Sequence, residues 1–209
     1  MPGIAASWVV KEKKTLAASE QDPEARAAWW QEVTLLDPDK LVFIDEAGSH
    51  TAMTRTHARA PKGQRAYGSV PRNRGGNLTL LAALSNRRLQ AEGLIEGSVD
   101  GDVFVTWVEH VLLPTLTPGQ IVVMDNLRAH YRKEVRAFIE ARGCSLLYLP
   151  PYSPDFSPIE LAFSKIKGQL KSLAALTKQA LADAVARACR TVSSVDVAGW
   201  FRHCGYNLQ

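Results

Sequence analysis

The sequence predicts an α/β fold: a mixed sheet with helices on both faces, preceded by a short helical arm. Short, continuous apolar runs at 41–45, 121–125 and 145–149 have the look of strands covered on both sides. Two further apolar runs flank the polar tetrad SNRR, a hairpin signal that gives the sheet antiparallel members. Helical periodicity between and after these runs supplies the covering layers.

Along the chain, a polar basic stretch leads to Asp22 as N-cap and Pro23 at the first helical position, opening a helix with Trp29, Trp30 and Val33 that Pro38 closes. The adjacent tryptophans dock on the following domain or form a dimer contact. LVFID (41–45) is a strand ending in an acid, and a Gly-, Arg- and Pro-rich stretch follows over 48–76. NLTLLAAL (77–84) and LQAEGLIE (89–96) form the hairpin. Phe104, Trp107, Val108, Val111 and Leu112 make the stripe of an amphipathic helix over 102–113, stopped by Pro114.

IVVMD (121–125) is a second buried strand ending in an acid, and a helix with Val135, Phe138 and Ile139 then runs to Gly143. SLLYL (145–149) is a third buried strand. The proline-rich PPYSPDFSP (150–158) cannot be helical. A helix from Pro158 buries Ile159, Ala162, Phe163, Ile166 and Leu170. An Ala-rich helix over 178–192, capped by Thr177, and a short one from Asp196 to near Gly205 complete the chain. The expected division is an arm at 1–39 and one α/β domain at 40–209.

With 209 residues, 46% hydrophobic and 22% charged, the chain is long and apolar enough for a packed core, which excludes a disordered or fibrous class. A net charge of +4 suggests a polyanionic partner without requiring one. Cys144, Cys189 and Cys204 are odd in number and lack CxxC spacing, so neither a disulfide framework nor a thiolate zinc site is expected. No apolar run reaches the roughly 18 residues a membrane span needs. The cations Lys11, Lys13 and Lys14 follow the first apolar stretch instead of preceding it, the reverse of a secretory signal, so a cytoplasmic protein without a membrane partner is expected.

Asp45 and Asp125 each end an apolar strand, where sites form in open α/β sheets. If the strands are neighbours the two acids repel, and a divalent cation between them removes that cost. Alternatively each caps the turn that follows it. Glu160 has a competing role as well, since Ser157-Pro158-Ile159-Glu160 reads as a capping box. Against that, Glu160, Ser164, Lys167 and Lys171 form one polar helical stripe, suiting a metal ligand followed by phosphate-binding lysines.

LVFIDEAGSH, IVVMDNLRAH and LLYLPPYSPDFSPIELAFSKIK together resemble the three acid-bearing blocks of DDE transposases of the mariner-related bacterial insertion-sequence superfamily. The separation 160 − 125 = 35 positions is similar to that family's spacing, and the likeness runs from about Lys11 to GWFRHCGY. It implies an RNase H-like fold in which Asp45, Asp125 and Glu160 hold two Mg²⁺ ions, with Asp45 bridging and Mn²⁺ able to substitute. The implied activity is metal-dependent cleavage of transposon ends in double-stranded DNA, then 3′-hydroxyl strand transfer at a TA dinucleotide. A hydrolytic nuclease of the same fold, or an inactive fragment that only binds DNA or dimerises, are the alternatives.

The resemblance also makes Asn126 and His130 candidates for orienting a ligand or touching the scissile phosphate, while capping of the helix over 131–141 is the other role for His130. Arg128 stands where relatives commonly carry a small Ser, and either contacts DNA or marks a degraded copy. Glu46, if its strand continues, points to the opposite face from Asp45, which disfavours a metal role. Arg55, Arg59, Lys62, Arg65, Arg72 and Arg74 suit contact with a DNA backbone, or form a solvated hairpin surface. His50, His57 and His110 lack ligand spacing and are assigned to surface or packing. Fewer than 40 residues precede the catalytic domain, too few for the helix-turn-helix modules of relatives, so the expected partner is a second copy or a full-length transposase, and the chain a split-frame product or decayed fragment.

Overall fold

A computed structural model describes residues 18–71 and 75–207, without the side chains of Arg128 and Ala129. Arg72, Arg74, the first basic stretch with Lys11, Lys13 and Lys14, and the side chain of Arg128 lie outside the described residues. After helix α1 (Pro23–Val33) come strands β1 (Leu41–His50), β2 (Asn77–Ser85) and β3 (Leu89–Glu96), then helix α2 (Gly101–Trp107) and strand β4 (Ile121–Met124). Helix α3 (Lys133–Ala141), strand β5 (Ser145–Tyr148) and helices α4 (Pro158–Leu173), α5 (Lys178–Cys189) and α6 (Ser194–His203) follow.

The strands form one sheet in the order β3-β2-β1-β4-β5, with β1, β2 and β3 antiparallel and β4 and β5 parallel to β1. Alternate residues of the central strands feed two cores. Leu41, Phe43 and Val123 pack with Ile159, Phe163 and Ile166 of α4, and α5, α6 and α1 complete that layer. Val42, Ile44, Val122 and Met124 pack on the other face against Phe104, Trp107 and Leu112, with Val135 and Ile139 of α3. The mixed sheet with helices on both faces is therefore present as expected.

Several boundaries differ from expectation. β1 does not end at Asp45: its antiparallel partner carries it on through Asp45↔Ala82 to His50↔Asn77, whereas parallel pairing with β4 stops at Phe43↔Val123. β5 is half-buried instead of buried, because it is an edge strand with one neighbour. After α2 the chain widens into a π-helical turn, Val108–Leu112, and a 3₁₀ turn, Leu113–Thr115. Pro114 is tolerated there because the first residues of such a turn need no N–H partner.

Likewise α1 ends at Val33, and Pro38 opens a 3₁₀ turn, Pro38–Lys40, leading into β1. The proline-rich block contains one helical turn after all, the 3₁₀ turn Pro154–Phe156. α5 stops at Cys189, and α6 begins at Ser194 behind a capping box of Ser193 and Asp196. The two tryptophans dock on the domain: Trp29 stacks on Phe156 at 5.3 Å and Trp30 meets Phe156 edge-on at 5.0 Å. Arg26 forms a two-pronged pair with Asp155, and Gln21 Nε2 donates to the Tyr152 carbonyl at 2.7 Å. α1 thus braces the proline-rich block from outside.

The three cysteines are free and buried. Among the described residues no helix is long and apolar enough to cross a membrane.

Candidate functional site

Three elements bring acids to one place. Asp45 lies two residues beyond the last β1–β4 parallel pair, and Asp125 is the first residue after β4. Glu160 sits in the first turn of α4, which the proline-rich block delivers to the same end of the sheet. All three line a single cavity of about 350 Å³, whose remaining wall includes Asn126, Leu127 and Tyr152.

Burial pushes the Asp45 carboxyl up to about 8, and the charges of Glu160 and Asp125 push in the same direction against the stabilising N–H of Glu46, which donates to Asp45 Oδ1 at 2.7 Å. Among the described residues no Lys or Arg pairs with Asp45 or Glu160. Asp125 behaves differently. Burial raises it, but a contact of 2.6 Å from its Oδ1 to His130 Nδ1 and the Leu127 N–H at 3.0 Å hold it below the ordinary carboxylate value.

His130 is fully buried, with its ring 4.4 Å from that of Phe104 and its carbonyl accepting from the Tyr148 hydroxyl at 3.1 Å. Its Nε2 stands 3.3 Å from Glu46 Oε2, close enough for an ion pair although the alignment falls short of a hydrogen bond. Burial opposes a charged imidazole, but the two carboxylates outweigh it and raise His130 to about 9. It does not cap the following helix, whose N-cap is Arg132. Asn126 is tied down from two sides, donating to the Leu149 carbonyl at 2.6 Å and accepting from the Tyr131 hydroxyl.

The capping box anticipated at Ser157 and Glu160 is absent: the Ser157 side chain makes no cap bond. Glu160 is left exposed on the cavity wall. Along α4, Ser164 and Lys171 are exposed and Lys167 half-buried, and neither lysine is ion-paired among the described residues, whereas their neighbour Lys165 is bound to Asp196 at 2.5 Å. Arg55, Arg59, Lys62 and Arg65 are all exposed on an irregular segment, not on a hairpin, and Arg55 Nε donates to Ser172 Oγ at 2.8 Å near the end of α4. His50, His57 and His110 stay off the cavity. His50 accepts from the Ala52 N–H, His57 contacts Thr56, and His110 faces Glu109.

The residue that sequence reasoning misses is Glu46. Its placement on the face opposite Asp45 is readable from strand alternation, but nothing local announces that His130 waits there.

The donor set suits a hard divalent cation: three carboxylates and no thiolate, with Asp45 buried beside like charges that such an ion would neutralise. Among the described residues no three His, Cys, Asp or Glu side chains enclose an ion as they stand. Asp125 Oδ1 is instead committed to His130 and Leu127.

The sequence profile of the DDE superfamily endonucleases matches residues 40–182. No curated protein matches the chain. Among solved structures, a pre-cleavage Mos1 transpososome superposes with a TM-score of 0.75 at 13% identity, over 94% of this chain and 64% of that one. The Mos1 mariner paired end complex with Mn gives 0.72 at 14% identity, over 93% and 63%. The catalytic domain of Mos1 mariner transposase gives 0.65 at 13% identity, over 94% and 92%. At these identities the likeness is one of fold, the RNase H-like fold of a transposase catalytic domain. The chain spans less than two thirds of the length of the transpososome chains it matches.

Proposed function

The chain belongs to the DDE superfamily endonucleases, and from that premise we propose that it is a transposase catalytic domain which cleaves DNA at transposon ends and joins the freed 3′-hydroxyl to target DNA at TA. The observation that carries this reading is the cavity lined by Asp45, Asp125 and Glu160, in which Asp45 is crowded by negative charge and, among the described residues, paired with no Lys or Arg. These three residues are the proposed ligands of two Mg²⁺ ions, with Mn²⁺ as a substitute; the similar Mos1 paired end complexes were solved with Mn and with Mg. Bound there, the ions supply charge neutralisation at an anionic phosphodiester and at the attacking and leaving oxygens.

The remaining roles fall to the protein itself. His130 orients Asp125 through the 2.6 Å contact, and Asn126, held by Leu149 and Tyr131, shapes the adjoining wall. Lys167 and Lys171 lie on the helix that begins with the Glu160 turn and draw in the DNA backbone. Arg55, Arg59, Lys62 and Arg65 extend that contact along the irregular segment, joined in this proposal by Arg72, Arg74 and Arg128. The partners are duplex DNA and a second copy or full-length transposase, in the cytoplasm. The catalytic domain in this proposal spans 40–209 and the arm 1–39.

The test is nicking of end-containing duplex with Mg²⁺ or Mn²⁺. Activity abolished by EDTA and by Asp45→Asn, with 3′-hydroxyl joining to a TA target, is the expected result. Nicking without joining reassigns the chain as a hydrolytic nuclease. DNA retention unchanged by EDTA and no nicking reassigns it as a binding or dimerisation module.

A further inference from the structure

We propose that Glu46 is a positioning residue of the acidic site: it holds the far edge of the His130 imidazole across the sheet, and thereby fixes which oxygen of Asp125 is free for the cavity. The inference rests on the reading of Asp125 as a metal ligand. Asp45 and Glu46 are consecutive on β1, so their side chains leave on opposite faces. Asp45 has the parity of Phe43 and Ala47, which pack on the α4 side, and Glu46 that of Val42 and Ile44, which pack on the α2 side.

On that second face His130 is locked in place. Its ring lies against Phe104, its carbonyl accepts from Tyr148, and its side chain is fully buried. Nδ1 meets Asp125 Oδ1 at 2.6 Å and Nε2 faces Glu46 Oε2 at 3.3 Å. Both Nε2 and Oε2 are buried, neither makes a hydrogen bond among the described residues, and each has the other as its charged neighbour. Stability alone does not explain such a pair, because an apolar side chain at position 46 would avoid the desolvation cost of a half-buried acid whose Oε2 is out of water. Its geometric consequence is specific. An imidazole gripped at both edges cannot swing, and Asp125 Oδ1 stays committed to it and to the Leu127 N–H. Oδ2 makes no hydrogen bond among the described residues and remains the free oxygen of a residue that lines the cavity.

Groups that orient a metal ligand typically contribute 10- to 100-fold to metal affinity. Mn²⁺ binding, followed by electron paramagnetic resonance, should therefore weaken by about 10-fold in Glu46→Ala. Glu46→Gln, whose amide oxygen can still accept from the ring, should recover most of that loss. A metal-free readout accompanies it: in protein with ¹⁵N-labelled histidine, a slowly exchanging Nε2–H of His130, distinct from the Nδ1–H held by Asp125, is expected in wild type and Glu46→Gln and not in Glu46→Ala. If thermal melting shows that Glu46→Ala does not fold, Glu46→Asp, one methylene too short to reach the ring, takes its place with the same expectation. Unchanged Mn²⁺ affinity and an unchanged ring signal in the Ala or Asp variant overturn the proposal. Equal loss in Gln and Ala also overturns it, because charge at position 46 and not its grip on the ring would then be responsible. Wild-type protein that binds no Mn²⁺ overturns the metal reading instead, and the ring signal decides the Glu46 contact alone.

Discussion

Asp45, midway along β1, and Glu160, in the first turn of α4, line one cavity, and the charge of Glu160 adds to burial in lifting the Asp45 carboxyl to about 8. The folded state therefore keeps a proton on Asp45 that the unfolded chain gives up near 3.8. Stability from this group is present at acid pH and declines as pH rises from about 4 to about 8. Asn mimics the protonated acid, so in EDTA the melting temperature of Asp45→Asn should match wild type near pH 4 and exceed it increasingly toward pH 8. A gain of more than about 1 kcal/mol, at least roughly 2 to 4 °C for a chain of this size, is expected at the upper end. A gap that does not change with pH, measured by scanning fluorimetry, removes the electrostatic account.

Arg26 is the latch of α1. Its two terminal nitrogens reach Asp155 at 3.0 and 2.6 Å, one of them also donates to Ser153 Oγ, and its guanidinium lies 3.9 Å above the Phe156 ring. Because Asp155 is more than half exposed, the ion pair is partly screened, and the whole set should be worth about 1 to 2 kcal/mol. Arg26→Ala should lower the melting temperature accordingly at pH 7. Arg26 also holds the Asp155 carboxyl below its usual value of 3.8, so its contribution is present above that pH and fades as pH falls below it. Thermal melts at pH 7 and pH 3 should show the difference between the two proteins narrowing in acid.

The parts of this architecture that are legible in the sequence are those set by local pattern. Leu41 to Ile44 and Val122 to Met124 are buried on both faces because adjacent strands of a covered sheet demand unbroken apolar runs. Asp22 and Thr177 cap helices as their positions suggest. The gathering of Asp45, Asp125 and Glu160 needs one further inference, that the first and second apolar runs are neighbours, and β1 and β4 are. The illegible features depend on distant residues. β1 passes Asp45 only because β2 supplies hydrogen bonds that β4 does not. The partner of Glu46 is set by a loop more than 80 positions away, 130 − 46 = 84, which no window on the sequence spans.

The irregular segment after β1 makes a quantitative claim about salt. Arg55, Arg59, Lys62 and Arg65 are exposed, as a surface that trades counterions with a phosphate backbone requires. Removing one cation that neutralises a phosphate should reduce the slope of log affinity against log salt by about 0.9. Replacing all four with Ala should flatten that slope by up to about 3.6 for duplex DNA, measured by fluorescence anisotropy across a range of sodium chloride. An unchanged slope would place the DNA path elsewhere.

Two serines that precede helices by the same motif should respond differently to the same change. Ser193 caps α6, accepting from the Asp196 N–H at 3.2 Å and donating to Asp196 Oδ2 at 2.6 Å, while the Ser193 N–H donates to the same oxygen at 2.9 Å. That carboxylate also holds Lys165 from α4, and α6 carries Val197 and Phe201 into the core, so the cap fastens a packed helix. Ser193→Ala should cost about 1 kcal/mol. Ser157 precedes α4 with Glu at the third helical position, yet its hydroxyl makes no cap bond and Glu160 stays with the acids of the cavity. Ser157→Ala should therefore change stability by less than about 0.5 kcal/mol. Chemical denaturation of the two variants separates the cases. A loss in Ser157→Ala as large as in Ser193→Ala would mean that Glu160 spends its time capping α4, and the acidic site would lose its third member.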